Sequence, residues 1–334
     1  MATELAAQQG TFSGNIKYEA VEGFFKRPRK WGFVEVADVD VDADDNVYVF
    51  NRSPHPVMVF DKDGNFVHTW GEIGNNALSF QYPHGISVGP DGNVYTADTD
   101  NHTVKKWTRD GKLLMTIGHA NLHSPEQSGL PFNRPTHFTI ASNGDYYVSD
   151  GYGNSHVHCF DSTGKLKFSW GGRGSEPGQF DTIHSVFVDR ENGDTIYCAD
   201  RYNNRVQFFT PKGEFLGQWT DLHLPNSVRQ RNGLFYVAEL GHRVSVLRSD
   251  GTVVARWGDE AKTEDLEIGG GLPTSASRNP MLRGKVIHEP GAGLFSAPHG
   301  MTVDSEGSLY VADVAESYTG LDRGGRSVQK FVRV

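Results

Sequence analysis

Residues 81–88 of this 334-residue chain read Gln81-Tyr82-Pro83-His84-Gly85-Ile86-Ser87-Val88, and a closely similar stretch near the end reads Ser296-Ala297-Pro298-His299-Gly300-Met301-Thr302-Val303. A third version lies between them, Asp181-Thr182-Ile183-His184-Ser185-Val186-Phe187-Val188. Each version places a histidine directly before a strand of alternating apolar residues. If the three strands are equivalent parts of a repeat, their imidazoles occupy equivalent places in the fold.

The repeat behind these stretches is an alternating strand, a turn rich in Asp, Asn and Gly, and a second strand that usually ends in a small residue and an acid. A third strand, a Gly-containing hairpin turn and a fourth strand follow. Four-stranded propeller blades need about 40–50 residues each. Successive copies are separated by 47, 52, 48, 42 and 73 residues, measured between the markers Val39, Ile86, Phe138, Val186, Val228 and Met301. The sequence therefore predicts an all-β fold, a six-bladed β-propeller that forms a single domain over residues 1–334.

The sixth copy of the repeat reaches only three strands. An isolated strand within residues 15–24 is expected to supply the fourth, which closes the ring by pairing the N- and C-terminal strands. The long last interval contains an insertion at residues 259–290. This insertion is either a lid over the central channel or a long surface loop.

The composition excludes several functional classes. The net charge is −9, whereas nucleic-acid binding needs a basic face. No apolar run approaches the ~18 residues that span a bilayer, and the N-terminal residues have no signal-peptide pattern. Cys159 and Cys198 lie in strand-like runs, which favours buried reduced thiols. We expect a cytoplasmic protein that acts on a small molecule, with no membrane or nucleic-acid partner; the sequence does not indicate its oligomeric state.

The three histidines share one position in the repeat, just before the first strand of a blade. Histidine occupies this position in blades two, four and six only, which is a threefold spacing around a sixfold ring. Such a ring can bring three neutral imidazoles to one ion on the axis and leave a fourth position open, as catalytic zinc requires. From blade one to blade six the residues at this position are Ala37, His84, Thr136, His184, Asn226 and His299. The alignment predicts a zinc site at His84, His184 and His299.

The repeats resemble NHL repeats, and the chain is similar to the lyase domain of the peptidylglycine alpha-amidating enzymes. The similarity covers nearly all six blades and is most specific in residues 148–155, Val-Ser-Asp-Gly-Tyr-Gly-Asn-Ser, and residues 198–208, Cys-Ala-Asp-Arg-Tyr-Asn-Asn-Arg-Val-Gln-Phe. It implies cleavage of a peptidyl-alpha-hydroxyglycine to a peptide amide and glyoxylate. It also places the three histidines on zinc ligands, Tyr152 on a catalytic tyrosine, and Arg52 and Arg201 on arginines that line the site.

The chain departs from this family at several positions. Gly300 stands where the family has an acidic residue that helps to hold a structural calcium, which argues against calcium here. Gly153 replaces a cysteine that forms a disulfide in the secreted animal domain, in agreement with a cytoplasmic protein. His137, one place out of register with the ligands, and Tyr202 and Tyr318 are expected to face the channel mouth and contact the substrate.

Three functions remain open at this stage. The first is a zinc-dependent lyase that cleaves a carbon–nitrogen bond in a small hydroxylated or carboxylated molecule. The second is a zinc-dependent hydratase or hydrolase in which the open site activates water. The third is a non-catalytic NHL propeller that only binds a partner. In the last case Tyr152 would cap a blade, and Arg52 and Arg201 would form structural ion pairs.

Overall fold

The computed structural model describes residues 13–14, 16–258, 291–319 and 322–334. Their strands form six antiparallel sheets, one for each repeat. In the first three blades the strands follow chain order from the first strand to the fourth. Blade one contains Val36–Val41, Val47–Asn51, Val57–Phe60 and Phe66–Trp70. Blade two contains Pro83–Val88, Val94–Asp98, Thr103–Trp107 and Leu113–Gly118. Blade three contains His137–Ile140, Tyr146–Asp150, His156–Phe160 and Leu166–Gly171.

The other three blades repeat this arrangement. Blade four contains Ile183–Asp189, Thr195–Asp200, Arg205–Phe209 and Phe215–Trp219. Blade five contains Pro225–Arg231, Leu234–Glu239, Arg243–Leu247 and Val253–Gly258, with a short fifth strand, Ser13–Gly14, added at its outer edge. Blade six contains Pro298–Val303, Leu309–Asp313, Val328–Arg333 and the N-terminal strand Tyr18–Val21. The six-bladed all-β prediction is confirmed, and the fifth strand of blade five is an addition to it.

The ring closes as the sequence predicts. Tyr18–Val21 pairs antiparallel with Val328–Arg333, with Tyr18 opposite Arg333 and Val21 opposite Lys330. Tyr18 is buried, and its ring stacks on Trp257 of blade five at 5.2 Å between centroids. The closing strand therefore completes the sixth sheet and fills the interface between two blades.

The core lies between the blades. Six clusters of buried side chains correspond to the six interfaces between neighbouring sheets, and each contains residues of two blades. The alternating strands make this possible because both faces of each sheet are covered by a neighbour. Cys159 and Cys198 belong to the cluster between blades three and four and are both free and buried, as expected.

The first strands of the six blades contact one another and surround the axis. The described helices are short: one α-helix, Ala315–Thr319, and three 3-10 helices, Arg190–Asn192, Arg201–Asn203 and Gly324–Ser327. Among the described residues no helix has the length and apolar character needed to cross a membrane. The insertion at residues 259–290, predicted as a lid or a surface loop, lies outside the described residues.

Candidate metal centre

An irregularity in strand pairing occurs at each of the three predicted ligands. In blade two Pro83 pairs with Asp98 and Gly85 pairs with Ala97, so His84 lies between two paired positions. The pairing shifts in the same way around His184 in blade four and around His299 in blade six. Such bulges bend a strand and change the direction of the side chain. The same irregularity occurs at Ala37 and Asn226, so it belongs to the repeat and is not specific to the ligands.

The acids that end the second strands hold these bulges in place. Asp98 accepts hydrogen bonds from the backbone N–H groups of Gln81 and Tyr82, at 2.9 and 2.8 Å. Asp313 accepts the equivalent bonds from Ser296 and Ala297, at 2.8 and 2.9 Å. These acids are structural, and the carboxylates fix the backbone just before each ligand.

The three histidines converge. One ring nitrogen from each of His84, His184 and His299 lies within 4.8 Å of those of the other two, and all three side chains are buried. Their ring centroids are 4.7, 4.8 and 4.4 Å apart. Three strands far apart in the sequence therefore bring their imidazoles to one point.

A backbone carbonyl orients each imidazole. The Nδ1 atom of His84 lies 2.7 Å from the carbonyl oxygen of Thr136, that of His184 lies 2.9 Å from Asn226, and that of His299 lies 2.6 Å from Ala37. A carbonyl only accepts, so each Nδ1 donates and each Nε2 keeps its lone pair. Metal-binding histidines are usually held in this way.

The three carbonyls come from the blades that lack the histidine. Ala37, Thr136 and Asn226 occupy the same position of the repeat in blades one, three and five. Each imidazole is thus oriented by a carbonyl group of the next blade around the ring.

The local electrostatics keep the imidazoles neutral. Burial holds the pKa of His84, His184 and His299 well below the usual value; Arg201 lowers the pKa of all three further, and Arg52 that of His84 and His299. Neutral imidazole is the form that binds a metal. Three neutral Nε2 atoms with fixed orientation fit a zinc ion of the catalytic type, which uses three protein ligands and one open position.

Tyr152 lies directly against this cluster. Its hydroxyl oxygen is 2.9 Å from Nε2 of His84 and 3.1 Å from Nε2 of His184. The two glycines beside it are required by close packing: a Cβ atom at Gly151 would clash with the backbone of Ile183, and one at Gly153 would clash with Asn133. The Gly-Tyr-Gly turn can therefore approach blade four closely enough to place the phenol at the metal centre.

Arg52 lies beside the same cluster but is held by an acid. Its Nη1 atom is 2.5 Å from Oε2 of Glu35, and its Nε atom donates to the carbonyl oxygen of Pro83 at 3.0 Å. The guanidinium also lies 3.8 Å from the centre of the Tyr82 ring. Arg52 thus forms a buried ion pair, and its charge still acts on His84 and His299.

Arg201 differs from Arg52 because no carboxylate is bonded to it among the described residues. Its Nε atom donates to Oδ1 of Asn226 at 2.7 Å and Nη1 to the hydroxyl of Tyr318 at 3.4 Å, while Nη2 has no hydrogen-bond partner within this part of the chain. The side chain is fully buried, and its guanidinium lies 5.8 Å from the centre of the Tyr152 ring. A buried guanidinium with an N–H group that lacks an acceptor has the chemistry to bind a carboxylate, and the role of Arg201 in substrate binding stays a prediction.

Parts of the chain are similar to known proteins. Residues 80–107 and 132–160 match the model of the NHL repeat. A peptidylglycine alpha-amidating monooxygenase of Rattus norvegicus is 31% identical over 210 residues, which are 54% of this chain and 21% of that protein. A probable peptidyl-alpha-hydroxyglycine alpha-amidating lyase of Caenorhabditis elegans is 29% identical over 130 residues, 35% of this chain and 36% of that protein. Two of the six blades thus match the NHL repeat, and part of the chain is similar to the amidating enzymes.

The matched region spans about a fifth of the rat monooxygenase and about a third of the nematode lyase. Among solved structures, a virginiamycin B lyase from Staphylococcus aureus superposes with a TM-score of 0.53 at 12% identity, over 89% of this chain and 82% of that one. At this identity the similarity concerns the propeller fold alone.

Two further tyrosines of this amidating-lyase-like propeller lie at the predicted site. Tyr318, in the helix Ala315–Thr319, is buried with Leu224, Leu240 and Ala297, and Tyr202 packs against this cluster. Burial raises the pKa of the Tyr318 hydroxyl, so it stays a neutral phenol. The guanidinium of Arg201 lies 5.9 Å from the Tyr202 ring. Both tyrosines therefore surround Arg201, and their contact with substrate stays a prediction.

His137 has a different environment. Its Nε2 atom lies 3.3 Å from Oδ2 of Asp38 and 3.3 Å from Nη2 of Arg229. Being one residue further along its strand than the ligand position, it contacts charged groups of the channel wall and not Tyr152. The structure thus groups Tyr152, Arg52, Arg201, Tyr202 and Tyr318 around the three histidines and places His137 apart from them.

Sequence reasoning missed three residues that shape the site, namely Glu35, Tyr82 and Ser317. Glu35 binds Arg52, and it also accepts hydrogen bonds from the backbone N–H and the hydroxyl of Ser317, both at 2.7 Å. Tyr82 stacks under Arg52. Only Tyr82 carried a signal, because it stands in the repeated stretch two residues before His84.

Proposed function

We propose that this chain is a zinc-dependent lyase that cleaves a carbon–nitrogen bond in a small molecule with a hydroxyl group and a carboxylate, as in an alpha-hydroxyglycine. The observation that carries this proposal is the position of the Tyr152 hydroxyl, within hydrogen-bonding distance of the Nε2 atoms of two predicted ligands. The free N–H of the buried Arg201 supports it, because it supplies a carboxylate site beside the phenol. The similarity to amidating lyases supports the same reaction class.

Each group has a distinct part in this reaction. His84, His184 and His299 would hold zinc, which when bound acts as a Lewis acid and lowers the pKa of the substrate hydroxyl. Tyr152, as phenolate, accepts the hydroxyl proton. The carbonyl then forms, the carbon–nitrogen bond breaks with its electron pair moving to nitrogen, and Tyr152 returns the proton to that nitrogen. The products are an amide or amine and a small aldehyde or oxo acid.

The arginines orient the substrate. Arg201 presents an unpaired N–H at the buried end of the site and binds the carboxylate. Arg52 is held in place by Glu35 and adds positive charge on the side of His84 and His299. Both charges stabilise an anion more strongly here than at the surface because the site is buried.

Two measurements test this proposal on the purified protein. Elemental analysis is expected to find about one zinc per chain, as a three-histidine site implies, and an assay with alpha-hydroxyhippurate is expected to release glyoxylate. Arg201→Gln should raise KM for the carboxylated substrate, whereas Arg248→Gln, an exposed arginine, should leave it unchanged. Absence of near-stoichiometric zinc would refute the enzyme proposal. Zinc-loaded protein that releases no glyoxylate but hydrates or hydrolyses another substrate would refute the lyase chemistry.

A further inference from the structure

The axial channel contains a second chamber beyond the three histidines. Because side chains alternate along a strand, every second residue of each first strand faces the axis. A cavity of about 290 Å³ is lined by the residues that lie three places after the ligand position in all six blades, namely Asp40, Ser87, Thr139, Phe187, Arg229 and Thr302. His137 and Arg231 line the same cavity, whereas the three histidines and Tyr152 do not.

The carboxylates that line the chamber, Asp40, Asp42 and Asp45, and the neighbouring Asp38 all accept hydrogen bonds. Asp40 accepts a hydrogen bond from the Thr302 hydroxyl on Oδ1 and from the Val88 backbone N–H on Oδ2, both at 2.7 Å. Asp38 accepts the backbone N–H groups of Val39 and Ile86, both at 2.9 Å. Asp38 and Asp40 of blade one thus connect the first strands of neighbouring blades.

The basic wall has one unused arginine donor, on Arg231, whereas Arg229 is already engaged and its Nη2 atom lies 3.9 Å from Oδ2 of Asp38. Arg229 is buried, and its Nη1 atom donates to the Ser227 hydroxyl at 3.2 Å and to the Val228 carbonyl at 2.9 Å. The Nε atom of Arg231 is buried and has no hydrogen-bond partner within the described chain. A buried cationic donor without an acceptor is costly, and an anion removes that cost.

His137 adds a second unused donor to this wall. The residue is 4% exposed, and its Nδ1 atom has no partner among the described residues. A guanidinium can only donate, so the contact with Arg229 needs the lone pair of Nε2 and places the proton on Nδ1. The contact with Arg229 thus selects the tautomer whose buried Nδ1–H group faces no acceptor among the described residues.

We propose that this chamber is a second ligand site, which binds a small organic anion with its carboxylate or phosphate group against Arg229, Arg231 and His137. The cavity is larger than a bare inorganic ion needs, and its other first strands add Ser87, Thr139 and Thr302, of which Ser87 and Thr302 already donate their hydroxyl protons and can accept hydrogen bonds from the rest of the ligand. This site is separate from the metal centre and does not depend on the proposed lyase activity.

Calorimetric titration of the purified protein with inorganic phosphate, and separately with acetate, tests the proposal and shows which anionic group is preferred. Saturable binding of at least one probe is expected. Arg231→Gln should weaken it about tenfold or more, since a charge-assisted hydrogen bond contributes about 1.5–3 kcal/mol. Arg231 has no bonded partner among the described residues, so this variant should fold, and Arg248→Gln, an exposed arginine of the same blade, is the matched control.

The variants Arg201→Gln and His299→Ala exclude the metal centre as the place of binding. Both should keep the Arg231-dependent binding of the probe, because neither residue lines the chamber. The proposal is overturned if neither probe binds saturably, if Arg231→Gln binds with unchanged affinity, or if binding disappears in Arg201→Gln or His299→Ala. Lyase activity is measured in a separate assay, so the absence of glyoxylate release would not change the interpretation of the anion titration.

Discussion

Tyr152 is the residue whose position most directly predicts a chemical effect. Its hydroxyl contacts two of the three ligands, while its ring lies in a turn that needs Gly151 and Gly153. Tyr152→Phe should lower turnover by about 10²–10⁴-fold, the range for loss of a general acid–base group, with zinc content unchanged. Tyr197→Phe, a buried tyrosine of blade four, is the control. Turnover that survives in Tyr152→Phe would remove the phenol from the mechanism.

Glu35 predicts an effect on stability, because it forms a buried ion pair with Arg52. The two side chains are only 5% and 10% exposed, and removing one partner of such a pair costs about 3–5 kcal/mol. Urea unfolding of Glu35→Ala should show this loss, and the Glu35→Ala/Arg52→Ala double variant should be less destabilised than the two single losses added together. Asp63→Ala, which removes an exposed pair with Lys62, should leave the midpoint unchanged. Additive losses would contradict the coupling.

The three imidazoles predict how metal retention depends on pH. Their pKa values are held well below 6.5 by burial, and protons compete with metal only where the rings are protonated. Zinc should therefore be retained as pH falls through 6.5 and be lost only at lower pH, as the lowered pKa values are reached. Zinc content after equilibration at a series of pH values measures this. Half-loss at or above pH 6.5 would be inconsistent with the buried, carbonyl-oriented rings.

At the scale of elements, the closing strand Tyr18–Val21 contributes to stability through one large side chain. Tyr18 fills the interface between blades five and six and stacks on Trp257. Tyr18→Ala should lower the free energy of unfolding by about 3–5 kcal/mol, as for other large buried aromatics. Val21→Ala, in the same strand but 36% exposed, is the control. Equal effects of the two substitutions would mean that the strand contributes only its backbone pairing.

The strands and the histidine triad were predictable because each has a local signature. Alternating residues and Gly turns mark the strands, and the repeat register alone aligns His84, His184 and His299. The ion pair of Glu35 with Arg52 and the hydrogen bonds of Glu35 with Ser317 have no such signature, since Ser317 lies 282 positions away from Glu35. His137 shows the limit of register arguments: a shift of one residue moves the side chain from the metal centre to a different chamber.

For the whole molecule, the predicted metal links three alternate blades. Zinc that binds only the folded ring should stabilise it, by about 4 kcal/mol when free zinc exceeds the dissociation constant a thousandfold. Chelation should therefore lower the unfolding temperature while the far-ultraviolet circular dichroism stays that of a β protein, because the blade interfaces are apolar. In His84→Ala, chelation should have no effect. An unchanged unfolding temperature after verified zinc removal would show that the ring gains nothing from the ion.

The carbonyl bonds to Nδ1 also affect how freely the site can vary. A backbone carbonyl is available from any amino acid, so Ala37, Thr136 and Asn226 can orient the imidazoles with three unrelated side chains. The side chain of Asn226 has a second role: its Oδ1 atom accepts a hydrogen bond from Nε of Arg201 at 2.7 Å, and its Nδ2 atom donates to the Pro298 carbonyl at 2.8 Å. Substitutions at these three positions can change what the pocket recognises while the coordination sphere keeps its orientation. The residues around the pocket can therefore change without a change in the orientation of the three imidazoles.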